Sequence, residues 1–153
     1  MNIDNVTVTD DELNIYLLLK REKLIENARN NFFEFCKLLF PDFYQPHRTY
    51  LKTMCDTLQD FIENKLINPK TNEPYQYLSL NVPPRHGKSY TVRNLQLWLL
   101  GKSNKQLIIT VSYAQRLTEQ LGQSLRDAIA IDKGEGLEIT YADIFPNTRL
   151  KYG

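Results

Sequence analysis

The sequence predicts an α/β protein in which a parallel-sheet core is entered through a helical N-terminal region. Leu78, Leu80 and Val82 alternate with Ser79 and Asn81, the period of a strand, before the run breaks at Pro83 and Pro84. Gln106 to Ser112, QLIITVS, is a nearly unbroken apolar run suited to a strand covered on both faces. An amphipathic helix follows each run, and a β-α-β-α succession implies a right-handed crossover and parallel strands.

The elements follow in order. Residues 1 to 8 read as a frayed leader, and Thr9-Asp10-Asp11-Glu12 has the form of a capping box opening a helix to about Asn27. Leu13, Tyr16, Leu17, Leu24 and Ala28 recur near helical spacing, with Lys20 to Lys23 and Glu26 as a charged flank. From Asn30 the aromatic run Phe32, Phe33, Phe35 and Phe40 is apolar all round, which predicts a covered helix ended by Pro41. Phe43 to His47 reads as an extended elbow, with Pro46 at the first position of the next helix. That helix carries one stripe, Tyr50, Leu51, Met54, Cys55, Leu58, Phe61, Ile62 and Leu66, expected to pack on the sheet.

Ile67 to Gln76 holds two prolines and two asparagines and reads as a surface loop dividing a helical region, 1–76, from an α/β region, 77–153. The next helix spans Lys88 to Leu100 with Val92, Leu95 and Leu99 inward and Gly101 at C′. A further helix covers Ala114 to Ala130 with Leu117, Leu121, Leu125, Ala128 and Ile129 on one side. Leu137 to Tyr141 reads as a short edge strand.

Composition bounds the function. With 153 residues and 42% hydrophobic content the chain can bury a core as one domain. Nineteen Lys+Arg against 18 Asp+Glu leave a net charge of +1, so any nucleic-acid contact would be local. Cys36 and Cys55 lack metal-ligand spacing and read as buried free thiols. Neither a membrane span nor a basic signal-peptide start is present in the sequence, and a cytoplasmic protein is expected.

The chemistry concentrates at Arg85-His86-Gly87-Lys88-Ser89, between the first strand and its helix. A helix N-terminus offers free N–H groups and the positive end of its dipole, and a glycine-rich turn lets the backbone approach a phosphate. In this phosphate-loop reading Lys88 neutralises the β- and γ-phosphates of ATP and Ser89 ligates Mg²⁺. Val82 stands where the usual motif has its first glycine, and a bare helix cap at Ser89 is the alternative. Hydrolysis also needs an acidic residue at the end of an apolar strand; Leu107 to Val111 ends in Ser112-Tyr113, and Asp143 is a poor substitute. The chain is therefore expected to carry half of an ATPase site.

Val82-Pro83-Pro84-Arg85-His86-Gly87-Lys88-Ser89 resembles the phosphate loop of phage terminase large subunits, the DNA-packaging motors, which tolerate loss of the first glycine. Phe32 to Leu51 is similar to that family's N-terminal aromatic helix and adenine-reading Tyr-Gln element. Ser112 to Ile129 and Phe145 to Leu150 resemble later segments of its ATPase domain. The resemblance implies an incomplete P-loop NTPase fold of the additional-strand class, without the Walker B acid or the nuclease domain. It implies ATP and Mg²⁺ as cofactors, with Gln45 and Pro84 to Tyr90 binding nucleotide, Ser89 holding the metal and Arg85 stabilising γ-phosphate charge. Implied partners are double-stranded viral DNA, the portal protein, the small terminase subunit and further copies in a ring, in the host cytoplasm and with no membrane. Arg85 alternatively positions the loop through salt bridges, and His86 reads as a spacer. His47, Arg116 and Arg126 read as solvated surface. Another P-loop ATPase or helicase-like motor is the nearest alternative; a small nucleotide kinase would show the first glycine and an arginine-rich lid, and neither is present.

Overall fold

The computed structural model describes residues 9–103 and 105–150, so the leader expected at residues 1 to 8 lies outside the described residues. Among the described residues six helices follow one another: α1 (Asp10–Asn30), α2 (Phe32–Leu39), α3 (Thr49–Ile62), α4 (Lys88–Lys102), α5 (Gln115–Ala130) and α6 (Tyr141–Ile144). The capping box at α1 forms as the residue types require: Thr9 Oγ1 accepts from the Glu12 N–H, and the Glu12 carboxylate accepts from the Thr9 N–H.

The α/β expectation is overturned. Among the described residues no strand forms; the single bridge, Ile67 to Pro74, merely closes the Ile67–Gln76 loop. The alternation along Leu78 to Val82 survives as burial, with the three apolar side chains half-buried and Ser79 and Asn81 exposed. What is missing is the partner: a strand exists through ladder hydrogen bonds to a neighbour, and a side-chain period specifies faces without supplying one. Along the second run Leu107, Ile109 and Val111 are 96%, 89% and 87% exposed, the opposite of a strand covered on both sides. Leu137 to Tyr141 is not an edge strand either. Thr140 caps α6 instead, in a second capping box with Asp143.

The core is built around the aromatic helix α2. Phe32, Phe35 and Cys36 are fully buried, as are Leu51 and Cys55 of α3 and Leu97 and Trp98 of α4. Phe32 packs at 5.6 Å from Trp98, whose indole N–H donates to the Ala28 carbonyl of α1 at 2.9 Å. Phe35 meets Tyr141 edge-on at 6.3 Å and Phe145 at 5.9 Å, so α6 closes the same core. One cluster thus takes residues from both sides of the Ile67–Gln76 loop. The stripe of α3 buries Leu51, Met54, Cys55 and Leu58 against α2, not against a sheet, and Tyr50 and Ile62 remain exposed. Pro46 precedes α3 by three residues without occupying its first position; Arg48 is the N-cap.

One further departure is local. Gly101 lies within α4, not beyond its end, and the Phe145 ring fills the space where its β-carbon would project. Helix α5 buries none of its residues fully, but Leu125, Ala128 and Ile129 of its expected apolar side pack partly buried against the core.

Candidate phosphate-binding site

The loop that delivers α4 folds as the glycine and proline spacing requires. A turn closes from the His86 N–H to the Pro83 carbonyl at 3.3 Å, and Arg85 and Gly87 take left-handed φ values of 65° and 80°. A left-handed arginine is strained, whereas glycine adopts that conformation freely. Gly87 is the N-cap of α4, and its carbonyl accepts the Thr91 N–H at 2.8 Å. Glycine has no side chain to cap a helix, and α4 has no side-chain cap among the described residues. Its first-turn N–H groups therefore stay available to an anion.

Lys88 and Ser89, both exposed, begin the helix at this point. They line a cavity of about 480 Å³ together with Val82, Pro83, Pro84, Arg85, Gly87, Tyr90 and Phe43. The same two residues line an adjoining apolar cavity of about 440 Å³ walled by Leu78, Leu80, Val92, Leu117 and Leu121. The residues fit a magnesium–triphosphate: two cationic side chains, a hydroxyl and uncapped amides converge on one concave, water-accessible surface. The site would hold phosphate at the Lys88 ammonium and the α4 amides, and the metal at Ser89 Oγ.

Of the residues expected to bind nucleotide, the structure brings together Pro84, Arg85, Gly87, Lys88, Ser89 and Tyr90. His86 faces elsewhere: its Nδ1 lies 2.9 Å from the Pro84 carbonyl oxygen and its ring 5.7 Å from Tyr50. Gln45 is half-buried and does not line the cavity.

Its neighbour Phe43, and the bracing contacts of Tyr44 from the expected Tyr-Gln element, are what sequence reasoning missed. Tyr44 is fully buried beneath the loop, its hydroxyl 3.0 Å from Thr91 Oγ1 and accepting from Asn94 Nδ2 at 3.1 Å. Burial, reinforced by the nearby Cys36, pushes the Tyr44 hydroxyl well above the ordinary tyrosine range, so it stays a neutral linker. Phe43 stands against Gly87, with Tyr90 at 5.0 Å and the Arg48 guanidinium 5.1 Å over its ring. Arg93 covers the Tyr90 ring at 4.4 Å. The aromatic richness of Phe40 to Tyr44 signalled this buttress, but its period signalled only burial.

Asp143 is also placed. Arg21 contacts it at 2.8 Å, and the Gly134 and Thr140 N–H groups and the Thr140 hydroxyl donate to it. Burial works against its charge, but these hydrogen bonds outweigh burial and lower its pKa to about 2. It is a structural clamp joining α1 to α6. Among the described residues no group of three or more His, Cys, Asp or Glu side chains forms, and no helix is long and apolar enough to cross a membrane.

Comparison of the chain with protein-family models, with curated proteins and with solved structures gives no significant match.

Proposed function

We propose that this chain binds the triphosphate of ATP with Mg²⁺ through its Val82–Tyr90 loop, as the N-terminal part of the ATPase region of a viral DNA-packaging terminase large subunit. The observation that carries the reading is the placement of Lys88 and Ser89 in the uncapped first turn of α4, directly after a left-handed Gly87 and sharing one cavity with Arg85. Anion binding of this kind is local: it uses amides, a helix dipole and an ammonium, and it needs no sheet. The motor assignment rests on the ordered resemblance of Phe32–Leu51, Val82–Ser89 and Ser112–Ile129 to terminases. In that setting the partners are double-stranded DNA, portal protein, small terminase subunit and neighbouring copies.

Titration calorimetry with ATP and Mg²⁺ tests the site. Binding should be Mg²⁺-assisted and lost in Lys88→Ala, with Ser89→Ala removing the metal dependence. Equal affinity of parent and Lys88→Ala would remove the phosphate-loop assignment. Tight binding of AMP without preference for the triphosphate would shift recognition to the base.

A further inference from the structure

The first half of α1 projects beyond the core: every residue from Asp10 to Lys20 is exposed except the half-buried Leu17. Its large apolar side chains would ordinarily be covered, yet Leu13 is 48% exposed, Ile15 58%, Tyr16 60%, Leu18 56% and Leu19 65%. At about 3.6 residues per turn, Leu13, Tyr16, Leu19, Lys20 and Lys23 share one side of the helix with Glu12. Ile25 and Ala28, which α1 buries in the body of the protein, fall on the opposite side. The stripe therefore faces away from the chain's own core.

We propose that this stripe is a self-association surface, on which α1 of a second copy packs antiparallel about a two-fold axis at Tyr16. Charge selects both the partner and its direction. The helix is acidic at its start, Asp10, Asp11 and Glu12, and basic about two to three turns after Glu12, at Lys20 and Lys23. Antiparallel pairing centred on Tyr16 sets Tyr16 against Tyr16, Leu13 against Leu19, and Glu12 against Lys20, each unlike pair occurring twice. Parallel pairing would set acid on acid and base on base.

The charges are available for this. Glu12 spends Oε2 on the capping box, and Oε1 is unengaged among the described residues. Lys20 and Lys23 have no ion-pair partner among the described residues; Arg21, by contrast, is held by Asp143. Such an isologous contact closes at two copies, unlike the head-to-tail contacts of a ring, and it lies on α1, apart from the phosphate loop.

Sedimentation equilibrium of the full chain tests it. The parent should show a monomer–dimer equilibrium that weakens with salt. Tyr16→Glu and Leu19→Glu should each weaken it by about tenfold or more, the scale of losing a central anchor, while circular dichroism shows unchanged helix content. Because Cys36 and Cys55 are buried, Tyr16→Cys should cross-link two chains under mild oxidation, whereas Leu18→Cys, off the stripe, should not. A parent that is monomeric at every reachable concentration, including one that binds anionic vesicles through α1 instead, overturns the proposal. So does a dimer indifferent to both glutamate variants, or equal cross-linking through Leu18→Cys.

Discussion

The Phe43 ring fills the space into which a β-carbon on Gly87 would project, its Cε1 lying 2.7 Å from that position. The ring cannot swing aside freely, because Arg48 covers one face and Tyr44 and Tyr90 pack edge-on at 5.2 Å and 5.0 Å. Gly87→Ala should therefore be destabilising twice over. The left-handed φ of 80° costs a side chain about 1–2 kcal/mol, and the overpacking costs about 1–3 kcal/mol more. Urea denaturation of Gly87→Ala, Phe43→Ala and the double variant checks this. Relief of part of the alanine penalty in the Phe43→Ala background is the expected coupling, and simple additivity would place the whole cost in the backbone.

No carboxylate lines either cavity that Lys88 and Ser89 share, and Asp143 is committed to Arg21, Gly134 and Thr140. A water activated for attack on a γ-phosphate needs an orienting acid or amide beside it. This chain should accordingly turn over ATP no faster than Lys88→Ala. A coupled phosphate-release assay decides the matter, and Lys88-dependent turnover above that control would show that a group outside these cavities supplies the missing function.

Tyr44→Phe removes the hydroxyl shared by Thr91 and Asn94, two buried polar side chains of α4. The ring still fits, so the loss falls on groups left unpaired, at about 1–3 kcal/mol. Chemical denaturation should show this destabilisation. Nucleotide affinity should weaken with it, since Tyr44 anchors the helix turn bearing Lys88; Gln45→Ala serves as the neighbouring control, with little effect on stability.

The acid limb of stability should report on Asp143. Its carboxyl is held at about 2 against an ordinary 3.8, so the folded state binds this proton less readily than the unfolded chain. The stabilisation is present above pH 4 and lost as pH falls toward 2. A shift of this size corresponds to about 2 kcal/mol. Asp143→Asn should flatten the decline between pH 4 and 2 while lowering stability at neutral pH, as thermal unfolding across that range would record. Unchanged acid sensitivity in the variant would assign the decline to other carboxylates.

The local rules in the sequence were legible where one segment holds all the parts. Thr9 and Glu12 make their capping box, the all-round apolar run at Phe32 becomes a buried helix, and the α3 stripe buries Leu51, Met54, Cys55 and Leu58. The same capping signal was present at Thr140-Tyr141-Ala142-Asp143, where the apolar alternation of Leu137, Ile139 and Tyr141 favoured a strand. Gly87-Lys88-Ser89 likewise read as a tight turn running into a helix, and Gly87 is the left-handed N-cap of α4.

Distant partners decided the remainder. Leu107, Ile109 and Val111 have the composition of a buried strand, but burial is conferred by a neighbour, and none covers them among the described residues. Gly101 reads as a helix stop until Phe145 is seen against it. Tyr44 reads only as part of an aromatic elbow until Thr91 and Asn94, far along the chain, are seen to share its hydroxyl. The sequence by itself determined where α1 is capped and where the Gly87 turn enters α4, because those depend on φ, local hydrogen bonds and residue type. Only the tertiary structure decided which apolar faces meet and which side chains brace the loop, because packing depends on contacts between residues that sequence order keeps apart.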